Sequence, residues 1–257
     1  MGTLRERERE LAAVEVLLAR GRGVLAVEGR AGIGKTSLVE AACSQADELG
    51  YEVLRARGSE LEAGFAFGVV RQLFERRLAA AATGDREALL AGPAAAAGRL
   101  LSGECAAELA GDGSFAVLHG LYWLVANLSA SRPLLIAVDD AHWADEPSLR
   151  WLAYLAPRLD GLAAGLLVAW RQGDPAVLGV PLLAVRAEAL EVLRPALLSE
   201  EAVSAVVRAA AGGAVSDELC SAVYAACGGN PLYLTELLRA AGRDGRPLAV
   251  LDAGAGW

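Results

Sequence analysis

The chain has 257 residues, 54% of them hydrophobic but few aromatic, and a formal net charge of −8. That length can bury a sizeable core, and a composition led by Ala, Leu, Val and Gly suits helices packed on a sheet better than a β-sandwich. The acidic balance, with no block of like positive charge, argues against a segment that grips DNA or RNA by counterion release, and no uninterrupted apolar run reaches a membrane span.

Residues 4 to 20 carry alternating charges, then Leu11, Val14, Leu17 and Leu18 at helical spacing, and predict an amphipathic helix ending at Gly21 and Gly23. This N-terminus has no apolar signal region, so a cytoplasmic protein is expected. Residues 24 to 28 predict a first strand, followed by a Gly-rich loop and a helix over 35 to 49. A second strand at 52 to 56 is expected to close a right-handed βαβ unit with the first. From 66 to 130 the pattern is helical, interrupted at Thr83-Gly84-Asp85, Gly92-Pro93 and Gly111-Asp112-Gly113. Apolar strands follow at 134 to 138 and 165 to 170, with a helix over 146 to 159 between them, and a last strand near 190 to 193. Strands that are apolar throughout and alternate with helices imply a parallel sheet covered on both faces. Beyond Arg194-Pro195 three helices are predicted, over 199 to 211, 216 to 226 and 232 to 241, before a Gly- and Ala-rich tail. The expected organisation is an N-terminal helix (1–22), an α/β core (23–195), a helical lid (196–243) and a tail (244–257).

Residues 29 to 36 match G-x-x-x-x-G-K-S/T, through Gly29, Arg30, Ala31, Gly32, Ile33, Gly34, Lys35 and Thr36, with Ser37 next. Between a strand and a helix this is a phosphate-binding loop, whose glycines let backbone N–H groups converge on phosphate oxygens at a helix N-terminus. Lys35 would reach the β and γ phosphates, and Thr36 would offer its hydroxyl to Mg²⁺. Lys35 is the single lysine among 24 basic residues. In a chain that otherwise uses arginine, that exception points to a need for a compact ammonium. A dinucleotide fingerprint does not fit the glycines at 29, 32 and 34.

Asp139 and Asp140 end the strand of 134 to 138, at the edge where open parallel sheets bind ligands. Asp139 would hold Mg²⁺, and Asp140 would orient or deprotonate an attacking water. Arg171, just past the next strand, is a candidate for the γ-phosphate or for a solvated loop position. His142 and Trp143 follow the carboxylates directly, His142 being placed to contact Asp140 or the substrate edge or to serve an interface or packing role, and His119 is expected in the core. Cys43, Cys105, Cys220 and Cys227 lack zinc spacing and read as reduced thiols, with Cys220 and Cys227 on one helix face. Gly228-Gly229-Asn230-Pro231 reads locally as a helix stop followed by a start.

The order GRAGIGKT, RGSELEAGFAFGVVRQLFE at 57 to 75, LLIAVDDAHWADEPSLRWLAYL at 134 to 155, LLVAWR and CGGNPLYLTELL closely resembles the ATPase domain of large LuxR-family transcriptional regulators, of the STAND class of AAA+-related ATPases. The resemblance covers the chain to about residue 242. It implies an additional-strand P-loop fold with a helical lid, and a switch held by ADP and released by ATP and an inducer. It also implies nucleotide contact from the lid at Gly229 and Pro231, and a sensor at Arg171. The family's opening Gly-Arg-Glu is here Glu6-Arg7-Glu8, and a winged-helix domain, helical repeats and a DNA-binding domain are expected to be missing from this module. The leading expectation is a Mg²⁺-dependent, slowly hydrolysing ATP switch that self-associates or joins other domains of a longer regulator, without membrane or direct nucleic-acid contact. The alternatives are a non-hydrolysing nucleotide-binding module and a small-molecule kinase.

Overall fold

The computed structural model describes residues 4–103, 113–173, 175–211 and 215–243. In chain order the strands are β1 (Gly23–Gly29), β2 (Glu52–Arg57), β3 (Leu134–Asp139), β4 (Ala164–Arg171) and β5 (Ala189–Leu193). The helices are α1 (Glu8–Arg20), α2 (Lys35–Glu48), α3 (Gly68–Ala79), α4 (Thr83–Leu89), α5 (Ala95–Leu101), α6 (Gly113–Ser129), α7 (Glu146–Leu155), α8 (Pro175–Ala187), α9 (Glu200–Ala211), α10 (Asp217–Cys227) and α11 (Pro231–Arg243). The five strands form one parallel sheet in the order β2-β3-β4-β1-β5.

Because side chains alternate along a strand, the apolar runs divide between two cores. On one face Leu25, Val27, Leu135, Ala137, Leu167 and Ala169 meet Val14, Leu17 and Leu18 of α1 and Leu38, Ala42 and Cys43 of α2. On the other, Val24, Ala26, Ile136, Val138, Leu166, Val168 and Trp170 meet residues of α3, α6, α7 and α8, with Phe74 edge-on to Trp151. A third cluster joins α9, α10 and α11 through Val203, Val207, Leu219, Cys220, Val223, Cys227 and Leu234. Cys220 and Cys227 thus share the buried face of α10, as their spacing implies; Cys105 and residues 244–257 lie outside the described residues.

Several local expectations are corrected. β1 and β2 do not pair, because β4 and β5 occupy the two edges of β1 and β3 and β4 stand between the first two strands. Strands apolar on both faces take the centre, whereas β2, with Arg55 and Arg57 exposed, is suited to the sheet edge. Thr83-Gly84-Asp85 opens α4 instead of interrupting a helix: Ala82 is the extended N-cap and Asp85 lies in the first turn, where its charge complements the helix dipole. α7 stops at Leu155 and passes into a 3₁₀ segment, Ala156–Gly161, since Pro157 has no N–H to continue the α ladder. α8, in a stretch whose pattern predicts no element, is kinked at Gly179 (φ 71°, ψ 159°) ahead of Pro181. His119 is half-buried and not a core residue. Its Nδ1 lies 3.2 Å from the Tyr154 hydroxyl and its Nε2 accepts from Trp123 Nε1 at 3.0 Å, within a cluster of aromatic rings.

Asp145, 3% exposed, connects two parts of this framework. Its Oδ1 accepts from the N–H of Ser148 (2.9 Å), capping α7, and from that of Phe67 (2.7 Å), while Oδ2 accepts from Val69 N–H (3.2 Å) at the start of α3. Removing it leaves three buried donors unpaired. Asp145→Ala is therefore expected to destabilise the chain by about 3 kcal/mol, read as a lower urea midpoint at unchanged slope.

Candidate nucleotide site

The loop after β1 turns into α2 through two left-handed glycines, Gly32 (φ 75°) and Gly34 (φ 98°), the second being the N-cap of the helix. The N–H groups of Gly32, Gly34, Lys35 and Thr36 find no acceptor among the described residues. Such a concavity of free amides at a helix N-terminus is suited to an anion. Lys35 folds back over the loop, its Nζ donating to the carbonyls of Gly29 and Arg30 at 3.0 Å each. Burial lowers its pKa, against the opposing pull of Asp140 and Asp139. Gly29 packs too closely for a side chain: a Cβ would lie 2.8 Å from Ile33 Cγ2.

Thr36 and Asp139 are 103 positions apart in sequence, and the Thr36 hydroxyl donates to Asp139 Oδ2 at 2.7 Å. Asp139 Oδ1 accepts the N–H of Asp140 at 2.9 Å. This hydroxyl and carboxylate are hard oxygen donors, a set that fits Mg²⁺, which keeps several waters and takes only one or two protein ligands beside phosphate oxygens. Among the described residues no group of three or more His, Cys, Asp or Glu could form an all-protein metal cage.

Asp140 is in a left-handed conformation (φ 47°) and points away from Asp139, toward Arg57 at the end of β2. Its Oδ2 accepts from Arg57 Nε at 2.9 Å and from the terminal guanidinium nitrogen at 2.6 Å. That pairing raises the Arg57 pKa. Gly58 lets the two strand ends come this close, because a Cβ there would lie 2.3 Å from the Asp140 carbonyl oxygen. Arg57 and Gly58 were not singled out from sequence. Arg57 ends a strand at the same edge as Asp139 and Arg171, so the strand-end rule that selected those two would have found it too.

Arg171, exposed at the end of β4, and half-buried His142 line one cavity of about 480 Å³ with Ala31, Gly32, Gly34, Lys35, Thr36, Ser37, Arg57, Asp140 and Trp143. α11 also lines it, through Pro231, Leu232, Thr235 and Arg239. α11 and the residue before it bond directly to the loop: Leu232 N–H donates to the Gly32 carbonyl (3.1 Å) and Asn230 Nδ2 to that of Ala31 (3.2 Å). Gly229 stands back from the cavity and packs on the backbone of Leu198, whose N–H it accepts at 2.8 Å.

A second cavity of about 240 Å³ adjoins the first, sharing Gly34, Ser37, Pro231 and Thr235, and is lined otherwise by Leu4, Arg5, Arg7, Ile33, Leu198, Val206 and Leu234. Arg7 is 3% exposed and donates to the carbonyls of Ile33 (3.2 Å) and Ala196 (2.8 Å). Glu6 takes the left-handed conformation (φ 54°) and receives hydrogen bonds from the backbone and hydroxyl of Ser199, which lower its pKa. Those bonds offset the strain of a non-glycine residue there.

The AAA ATPase domain family matches residues 3–169. The chain belongs to the AAA ATPase domain family. No curated protein matches it. Among solved structures it is similar to the Aeropyrum pernix ORC2 protein in ADPNP-ADP complexes, with a TM-score of 0.58 and 17% identity over 100% of this chain and 70% of that one. AMPPCP-bound DnaA from Aquifex aeolicus is matched at TM-score 0.57 and 13% identity, over 95% of this chain and 63% of that one. For the Aeropyrum pernix ORC1 protein in complex with DNA, the TM-score is 0.56 and the identity 16%, over 99% and 63%. At these identities the likeness is one of fold, and the chain spans only about two thirds of the length of these proteins. No described helix is long and apolar enough to cross a membrane.

Lys35→Ala removes the only ammonium over the loop while leaving its backbone amides in place. It is expected to weaken Mg²⁺-nucleotide binding at least about a hundredfold, measured by calorimetry; unchanged affinity would remove the phosphate-loop assignment.

Proposed function

We propose that this chain is the Mg²⁺-dependent ATP-binding and slowly ATP-hydrolysing switch module of a LuxR-family, STAND-class transcriptional regulator. The observation that carries the reading is one cavity in which the free loop amides, Lys35, Thr36, Asp140 and Arg171 converge, with Asp139 bonded to Thr36 behind it. The phosphates would lie on the amides of residues 30 to 37, with Lys35 neutralising charge between the β and γ groups. Mg²⁺, held by Thr36 and Asp139, would supply charge neutralisation at the phosphate oxygens. The adjoining cavity has apolar walls, Ile33, Leu198, Val206 and Leu234, suited to a purine base.

Hydrolysis needs a water aligned with the γ-phosphorus. Its oxygen forms the new P–O bond, ADP leaves with the electron pair of the old one, and the water proton passes to Asp140. Two features support a low rate. Asp140 is one methylene shorter than a glutamate, and Arg57 occupies its Oδ2 with two hydrogen bonds, so that oxygen is not free to take the water proton. The same pairing favours the second reading, a module that retains nucleotide without turnover. A switching role is supported by the contacts of α11 and the residue before it with Ala31 and Gly32, since a nucleotide that moves the loop must also move this helix. Pro231, at the start of α11, and Arg171, at the end of β4, would then report the occupied state from two different elements of the cavity.

Phosphate release from Mg-ATP, with Lys35→Ala as the blank and over a range of protein concentrations, tests hydrolysis directly. A rate above the blank is expected, rising severalfold in Arg57→Ala as Asp140 is freed and falling to the blank in Asp140→Asn. A rate per chain that grows with concentration would add self-association to the mechanism. Nucleotide binding with no release in any variant would establish the non-hydrolysing module instead.

A further inference from the structure

We propose that His142 distinguishes a nucleoside triphosphate from a diphosphate, by donating a hydrogen bond from Nε2 to the terminal phosphate. The assignment rests on the nucleotide-binding reading above and adds to it a residue with a defined role. His142 lies in the single turn Ala141–Trp143, which follows directly on the left-handed Asp140. This turn brings the ring back from the end of β3 into the cavity wall that holds Asp140 and Arg171.

The ring is oriented from behind. Its Nδ1 accepts the backbone N–H of Arg171 at 3.3 Å, so the imidazole is tied to the end of β4. A ring nitrogen that accepts carries no proton, and a neutral imidazole so held must carry its proton on Nε2. Nε2 has no protein partner among the described residues, and the residue lines the cavity. Burial keeps the ring in its neutral form by lowering its pKa, assisted by Lys35 and Arg171 against the opposing charges of Asp140 and Asp139. The result is a preorganised neutral donor facing a pocket built for a polyanion.

Position selects the terminal phosphate as its acceptor. The loop amides and Lys35 enclose the phosphates nearest α2, whereas His142 stands on the wall made by the ends of β3 and β4. That wall also carries Asp140, the group proposed to align water on the γ-phosphorus. A diphosphate would end short of it. Next to Arg171, Gln172 N–H donates to the Gly29 carbonyl at 3.0 Å, so the element that orients the ring is also fastened to the phosphate loop.

The test is calorimetric binding of Mg-ATPγS and Mg-ADP to the full chain and to His142→Asn and His142→Gln. Asn can still accept the Arg171 N–H but does not reach the phosphate. It is expected to lower affinity for Mg-ATPγS on the order of tenfold, the loss of one hydrogen bond to a charged group, with Mg-ADP affinity unchanged. Gln, whose amide reaches the Nε2 position, should restore part of the difference. Retained ADP binding doubles as the control for folding. Equal weakening of both nucleotides, or of neither, would overturn the assignment and mark His142 as a packing residue. If the unsubstituted chain binds neither nucleotide, the underlying reading itself fails.

Discussion

Parallel pairing in a fixed register is the constraint on which the site depends. β1 pairs β4 with Gly29 opposite Arg171, and β2 pairs β3 with Arg57 opposite Asp139. β3 and β4 are joined by the intervening register of Val138 with Val168. The C-terminal ends of four strands therefore reach one edge, with β1 and β4 extending two residues beyond β2 and β3. Asp139, Asp140 and Arg171 stand on strand ends or on the residue just after one, while Lys35 and Thr36 open the helix that follows β1. A one-residue slip in any pair would reverse the faces of its alternating side chains and withdraw its contribution. The two apolar cores resist that slip, since each of the central strands is buried on both faces.

On this edge two electrostatic arrangements face different ways. Asp139 is turned inward to the Thr36 hydroxyl, a pairing that holds hard oxygens together without a cation from the protein. Asp140, the next residue, is turned to Arg57 by its left-handed backbone. Adjacent carboxylates can thus serve different tasks because one lies with a neutral donor and the other with a guanidinium. The Arg57 pairing is half exposed to solvent, so its contribution to stability is small, and its consequence is for the reactivity of Asp140.

The helical group α9 to α11 packs on its own core, yet it meets the α/β part through few polar contacts that all converge near the phosphate loop. Asn230 and Leu232 bond to loop carbonyls, Arg7 spans from Ile33 to Ala196, and Glu6 binds Ser199 just before α9. Arg194, between β5 and α9, pairs at 3.1 Å with Glu28 next to the loop. Contacts of this kind can be exchanged at little cost compared with an apolar interface, which is the physical requirement for a helical group that responds to what the loop holds.

The chain's own pattern of residues determined the phosphate loop, the doubly covered parallel sheet, the helices after Arg194 and the roles open to Lys35, Thr36, Asp139 and Asp140. These are legible because spacing, apolar periodicity and backbone chemistry are local properties. The tertiary structure decided the order of the strands, with β3 and β4 inserted between β1 and β2, because that choice depends on which runs are apolar on both faces together. It also decided the partner of Asp140. Arg57 lies 83 positions away, and although its place at a strand end is legible locally, its pairing with Asp140 depends on β2 and β3 lying side by side. The same holds for the orientation of His142, which is set by one backbone N–H on a neighbouring strand, and for His119, drawn into a surface aromatic cluster by residues from two helices. Contacts between distant segments arise only when the sheet has closed, so single-sequence patterns carry the elements and leave their partners to the fold.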